Sequence, residues 1–229
     1  MQRSKRFDYI FIACGLLIQV VTFLLSSQSS IFNLQSSIFN LQFLSFLSGC
    51  LGVCSVCLTA QKNIYMYAFG FAQIITYSIL CWAERFYAGI AINAYYLVTL
   101  IGGFFIWRQN IKHNTSNITH NTSTVTTRRL NGRLWLVLLV ATLALSWLVG
   151  WGLETWTDDT QPYLDAFTTV PALVAQILMI LLFREHWFLW LAVDIVSVVL
   201  WLRAENYCMA AQYVFWCANC IYGIYKWKK

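Results

Sequence analysis

Asp194 is the eighth residue of an apolar run, 187–203, and the only acidic residue inside it. A carboxylate at the centre of a membrane span costs roughly 2.5–3.5 kcal/mol on insertion scales, so such residues face a protein interior and persist where they serve a purpose. At 100° per helical residue, Trp187, Trp190 and Asp194 fall within about 60° of one another, a single face of two indoles and a carboxylate. That face suits a flat polar ring able to carry positive charge. Each indole attracts a cationic ring by about 0.5–2 kcal/mol, and the carboxylate accepts hydrogen bonds from hydroxyl or amide groups.

Further polar residues stand at similar depth in other apolar runs. Gln73 is close to the centre of 64–83, with Gly70 at i−3 and Tyr77 at i+4 on the same side, and supplies both a donor and an acceptor. The run 87–107 contributes Asn93 and Tyr96, the run 207–227 contributes Gln212, Trp216 and Asn219, and 165–183 contributes Gln176. Amides between membrane helices also serve as hydrogen-bonding glue worth about 1 kcal/mol, and Asp194 could pair with a neighbouring helix in the same way. Trp187, close to the end of its run, also reads as part of an aromatic belt at the membrane interface; Trp107, Trp135, Trp151, Trp156 and Trp227 are assigned to that belt.

The eight cysteines, Cys14, Cys50, Cys54, Cys57, Cys81, Cys208, Cys217 and Cys220, lie inside or at the edges of apolar runs, where cysteine behaves as a small hydrophobe. Cys217 and Cys220 have redox-motif spacing, but on a helix without the soluble βαβ setting that gives the motif weight. A membrane thiol oxidoreductase is therefore a secondary reading. There is no Walker A sequence or other nucleotide cradle, so direct drive by ATP is not expected, and no cofactor or metal is assigned.

The elements that must position these groups follow from composition. Of 229 residues, 59% are hydrophobic and 10% charged, with a mean hydropathy of +0.62, against roughly 25% charged in soluble domains. The solvent is a bilayer, and about 20 apolar residues as a helix cross it with every backbone group satisfied internally. The runs 8–26, 41–60, 64–83, 87–107, 134–151, 165–183, 187–203 and 207–227 make eight such helices. After the first, Leu24-Leu25-Ser26-Ser27-Gln28 offers no small-residue cleavage site, so this run is expected to stay as a helix. Residues 29–35 repeat immediately as 36–42 (Ser-Ser-Ile-Phe-Asn-Leu-Gln), either a short interfacial helix or an uncharged spacer.

The net charge of +6 does not point to nucleic acid, because the basic residues sit between apolar runs rather than in an exposed stripe with aromatics. It points to an orientation, since cytoplasmic ends of short loops collect Lys and Arg. With the N-terminus cytoplasmic, the inside holds Arg3, Lys5, Arg6, Lys62, Arg108, Lys112, Arg128, Arg129, Arg133, Arg184, Lys226, Lys228 and Lys229, which is 13 of the 15 basic residues. Outside are Arg85 and Arg203, with the acidic Glu154, Asp158, Asp159 and Asp165. Omitting any helix scrambles the alternation, so both termini are expected inside. The stretch 108–133, rich in Asn, Thr, Ser and His, reads as a flexible cytoplasmic linker, and its three sequons at Asn114, Asn117 and Asn121 as composition.

Sliding the chain by 120 residues aligns Ala72 with Ala192, Ile75 with Ile195, Leu80 with Leu200, Tyr87 with Tyr207 and Ala91 with Ala211; then Ile101 with Ile221, Gly103 with Gly223, Trp107 with Trp227 and Arg108 with Lys228. Helices two to four thus correspond to helices six to eight and cross in the same direction. Parallel repeats are a transporter plan, known from the SWEET proteins, with substrate held between them near the midplane. The expected organisation is an accessory N-terminal helix and interfacial segment (1–40), a first three-helix bundle (41–107), a cytoplasmic linker (108–133), a linker helix with a periplasmic loop (134–164) and a second three-helix bundle (165–229): an all-α integral membrane fold.

Trp187-Phe188-Leu189-Trp190, then Val193-Asp194-Ile195-Val196-Ser197, then a helix ending Ile221-Tyr222-Gly223-Ile224-Tyr225-Lys226-Trp227 resembles the signature of the PnuC nicotinamide riboside transporters. The first repeat is similar, with Tyr87, Ile92-Asn93-Ala94-Tyr95-Tyr96, Gly103 and Trp107. These regions cover somewhat under half the chain. The resemblance implies a bacterial inner-membrane carrier of SWEET-like fold, a homotrimer with one pathway per protomer, that moves nicotinamide riboside by facilitated diffusion with alternating access before a cytoplasmic kinase traps it. The family's WxxW maps onto Trp187 and Trp190. Substrate-binding roles for Asp194, Gln73, Tyr77, Asn93, Tyr96, Gln212, Trp216 and Asn219 come from their depth and facing. A sister carrier of thiamine or riboflavin is the nearest alternative, because those rings would also stack on two tryptophans.

Overall fold

The computed structural model describes the backbone of residues 2–30, 36–83, 87–117, 125–157, 161–203 and 207–228, and their side chains apart from 2–5, 26–30, 36–40, 42, 87–89, 114–117 and 207–208. Among these residues it has eight helices: α1 (Gln2–Ser30), α2 (Ser36–Ala60), α3 (Met66–Ala83), α4 (Tyr87–Asn117), α5 (Gly132–Trp156), α6 (Pro162–Ile180), α7 (His186–Arg203) and α8 (Tyr207–Lys228). Among the described residues an isolated bridge pairs Arg128 with Phe183. The fold is all-α, as the apolar runs predict.

Among the described residues, seven helices are long and apolar enough to cross a membrane. The eighth expected span, α8, has the length, 22 residues, but its Gln212, Asn219, Lys226 and Lys228 make it less apolar than the others. Several elements differ in extent from their apolar runs. The second copy of the duplicated heptad opens α2 at Ser36, and α4 continues to Asn117, ten residues into the stretch expected to be a linker. Polar residues are compatible with a helix once a neighbouring apolar segment has nucleated it, so hydropathy alone underestimates these lengths.

The chain forms two compact units, one ending at Val125 and one beginning at Thr126. In unit 1, α2 packs on α1 and α3, and α3 on α4. In unit 2, α6 packs on α5 and α7, and α7 on α8. The contact of α5 with α6 is close because Gly150 has no side chain: a Cβ there would lie 2.6 Å from Tyr163 Cδ1 and 3.2 Å from Tyr163 Cα. The hydroxyl of Tyr163 donates to Glu154 Oε2 at 2.8 Å, tying the same two helix ends together. The outward side of α5 is a continuous apolar surface, with Leu134, Leu136, Val137, Val140, Leu143, Trp147 and Leu148 all exposed, as expected of a helix solvated by lipid.

Among the described residues each unit shows a tight helix–helix turn, and the two are built alike. α2 ends where Lys62 takes φ 60°, and α6 ends just before Leu182, which takes φ 67°. In the first turn Lys62 N–H donates to Thr59 O at 2.9 Å and Asn63 N–H to Leu58 O at 3.0 Å; in the second, Leu182 N–H donates to Met179 O at 3.0 Å and Phe183 N–H to Leu178 O at 2.9 Å. This pair of bonds is the Schellman termination, which satisfies the last helical carbonyls and normally places glycine at the left-handed residue. Here Lys and Leu hold that position, at a cost of roughly 1–2 kcal/mol each. The same i−3 bonds then start the following helix, Met66 N–H to Asn63 O in unit 1 and His186 N–H to Phe183 O in unit 2. Residues 120 apart thus occupy matching backbone positions.

Candidate functional site

The seam between α7 and α8 in unit 2 holds the largest share of the predicted site residues. Trp187 is buried, 3% exposed, with its ring 4.5 Å from that of His186 and edge-on to Trp227 at 6.0 Å. The contact needs Gly223 on α8: a Cβ there would collide with Trp187 Cε2. His186 is fully buried between Trp187 and Trp227. Its Nδ1 lies 2.7 Å from Phe183 O, which assigns the proton to Nδ1. Nε2, the Trp187 indole N–H and one Glu185 carboxylate oxygen have no hydrogen-bond partner among the described residues.

Two turns along α7, Asp194 is buried and accepts a hydrogen bond on Oδ2 from the Cys220 thiol at 3.3 Å. Asn219, adjacent to Cys220, is 2% exposed. Trp216 is half-buried, its ring edge-on to Tyr213 at 4.8 Å, and its indole N–H is also without a partner among the described residues. Gln212 is half-buried. Trp190 is half-buried too, but packs against the cluster of Ala175, Leu178 and Leu189, on the side of α7 that meets α6. The indole of Trp187 and the carboxylate of Asp194, seven residues and close to two full helical turns apart, therefore share the α8 side, with Trp190 at its flank.

Unit 1 places its candidates differently. Asn93 on α4 is buried, with its amide nitrogen 3.9 Å from Cys81 Sγ on α3. Gln73 is half-buried, its Cγ 3.6 Å from the position a Cβ on Gly52 would take. Tyr96 is half-buried with its ring 5.6 Å from Tyr95, and Tyr77 is exposed. Gln176, on α6, is buried.

Two tryptophans assigned to the aromatic belt are not at the surface. Trp107 is 0% and Trp227 1% exposed; Trp107 packs edge-on against Tyr67 at 5.4 Å, the counterpart of the Trp187–Trp227 pair. Trp151 and Trp156 are exposed, as belt residues should be. A tryptophan near a helix end reads the same in sequence whether it meets headgroups or another helix. The signal that separates them was present: Trp107 and Trp227 are related by the 120-residue offset, together with Gly103 and Gly223. Sequence reasoning did not single out His186, nor Cys220 as the partner of Asp194. The thiol is a weak donor, and nothing in its spacing marks it as one.

A helical chain whose apolar spans enclose a carboxylate, amides and indoles has the make-up of a multi-pass membrane transporter rather than an enzyme. The family model described as nicotinamide mononucleotide transporter matches residues 42–229, and the chain belongs to that family. It is 28% identical to the nicotinamide riboside transporter PnuC of Haemophilus influenzae over 98% of this chain and 91% of that protein. It is also 28% identical to the PnuC of Neisseria mucosa, over 97% of this chain and 81% of that one. A solved structure described as the crystal structure of the vitamin B3 transporter PnuC superposes with a TM-score of 0.73 at 26% identity, covering 97% of this chain and 90% of that one.

Proposed function

We propose that the chain carries nicotinamide riboside across the bacterial inner membrane by facilitated diffusion with alternating access, both termini cytoplasmic, as a homotrimer. The observation that supports this most strongly is the α7–α8 seam, where a buried indole and a buried carboxylate share one side of α7. The pyridinium ring of the riboside would stack on indole faces, favoured by cation–π attraction. Its carboxamide and hydroxyls would meet Asp194, Gln212, Asn219 and the indole N–H groups of Trp187 and Trp216, with Trp190 at the edge. Gln73, Tyr77, Asn93 and Tyr96 offer the same kinds of group in unit 1.

The family description names the mononucleotide, whereas the relatives' names specify the riboside. Asp194 favours the riboside, because a carboxylate in a low-dielectric seam attracts the pyridinium and repels a phosphate. Equilibrium titration of the purified protein with the riboside, in competition with the mononucleotide, thiamine and riboflavin, tests the assignment. The riboside should displace each of the others. Tighter binding of any competitor would reassign the substrate. Orientation is tested separately: a cysteine placed at position 120 should resist an impermeant thiol reagent in intact cells.

A further inference from the structure

Unit 2 contains a cavity of about 240 Å³ at the end of the unit where α5 and α7 begin and α8 finishes. Its walls are of two kinds. Arg129, Arg184 and Lys228 supply three positive charges, and Glu185 one negative; Leu130, Trp135, Phe188 and Ile224 supply an apolar wall. Arg184 Nε is 3.6 Å from Glu185 Oε1, so part of one positive charge is spent within the wall. The other Glu185 oxygen is buried without a hydrogen-bond partner among the described residues, although the residue is 6% exposed. The lining keeps a formal charge of +2, three basic groups less one acidic.

From this arrangement we infer that the cavity is a binding site for the head group of an anionic glycerophospholipid. Basic pockets between membrane helices recognise such head groups. The phosphate is matched by Arg129, Arg184 and Lys228. The acyl chains leave along Trp135, Phe188 and Ile224. Phe188 is 46% exposed and the adjoining Leu134 60%, so the apolar wall continues onto lipid-facing surface. A soluble phosphate would use the charges but not this wall. The volume is below the roughly 300–1,000 Å³ of clefts that enclose a whole drug-sized ligand, which fits a head group rather than an entire molecule.

The site is particular to unit 2. At the matching positions of unit 1, 120 residues earlier, Ile64 and Tyr65 stand where Arg184 and Glu185 are, and Ala68 where Phe188 is. The inference is independent of the substrate, since none of the cavity's residues belongs to the proposed substrate site.

Native mass spectrometry of the purified full-length protein, titrated with phosphatidylglycerol, phosphatidylcholine and inorganic phosphate, tests it. Phosphatidylglycerol should bind at least tenfold more tightly than phosphatidylcholine, and excess phosphate should not displace it. The double variant Arg129→Gln/Lys228→Gln should lose about 25-fold in phosphatidylglycerol affinity, equivalent to ~1 kcal/mol per basic residue, and each single variant about fivefold. Both residues are exposed, so folding should survive, as far-UV circular dichroism would verify. Lys112→Gln, an exposed basic residue of unit 1, should change nothing. Equal affinity for the two lipids, unchanged binding in all the cavity variants, or displacement by inorganic phosphate would overturn the proposal.

Discussion

The described residues of 57–107 in unit 1 and of 177–227 in unit 2 share a backbone design but differ in what it carries. Both end a helix with a Schellman turn on a non-glycine left-handed residue, and both set an aromatic ring of the next helix edge-on to a fully buried tryptophan, Tyr67 to Trp107 and Trp187 to Trp227. At matching positions, however, Met66 becomes His186, Ile74 becomes Asp194, Thr99 becomes Asn219 and Leu100 becomes Cys220. In unit 1 the buried amide–thiol contact is instead Asn93 with Cys81. The turns and aromatic pairs are determined by backbone hydrogen bonding and ring packing, which tolerate these exchanges. Polar groups in an apolar span are costly, and unit 2 concentrates them in one seam.

The comparison is most severely strained by removing the two buried tryptophans. Trp107→Ala and Trp227→Ala should each destabilise by about 3–5 kcal/mol, the range for a buried Trp emptied to Ala, as measured by denaturant or thermal unfolding in detergent. A large loss for one and none for the other would show that the aromatic pairs are not equivalent supports. Next in size is Gly223→Ala, which must displace the Trp187 ring and should cost about 1–3 kcal/mol together with substrate affinity. Gly102→Ala, where a Cβ meets nothing within 4 Å, should be silent by the same measurements.

Cys220 sharpens the contrast within unit 2. Cys220→Ala leaves Asp194 without the thiol donor and should cost about 1–3 kcal/mol, whereas Cys220→Ser restores a donor and should remain close to wild type. Cys217→Ser/Cys220→Ser should likewise transport normally, as expected if the pair has no redox role. The smallest effect concerns the turns. Lys62→Gly relieves the left-handed strain and should stabilise by up to ~1 kcal/mol. Leu182→Gly relieves the same strain but should be destabilising, because the Leu182 side chain is buried, 1% exposed.

Hydrophobic run lengths alone located every helix, and α3, α7 and α8 begin and end within two residues of the expected runs. Both ends of α1, the start of α2 and the last turns of α4 and α5 were less legible because polar residues enter those turns: helix continuation depends on backbone hydrogen bonds, while the apolar run reports only where lipid or protein covers the side chains. At the site, Asp194 and Trp187 were legible through the cost of a buried carboxylate and through helical spacing. Trp190 shows the limit of that reasoning. An angular spread of about 60° placed it on the same face, yet its contacts are with Ala175, Leu178 and Leu189. Which neighbour a flanking residue touches is set by the packing of α6, and that information is not local to α7.

In the proposed mode of recognition, Asp194 of the α7–α8 seam reads the charge of the substrate ring. Calorimetric titration of wild type and Asp194→Asn with nicotinamide riboside and with its neutral reduced form tests it directly. Asparagine keeps the shape and a hydrogen-bond acceptor while removing the charge. The variant should bind the cationic riboside on the order of tenfold more weakly, about 1.4 kcal/mol, and the neutral form as wild type does. Equal changes for the two ligands, or none for either in a correctly folded protein, would contradict the account.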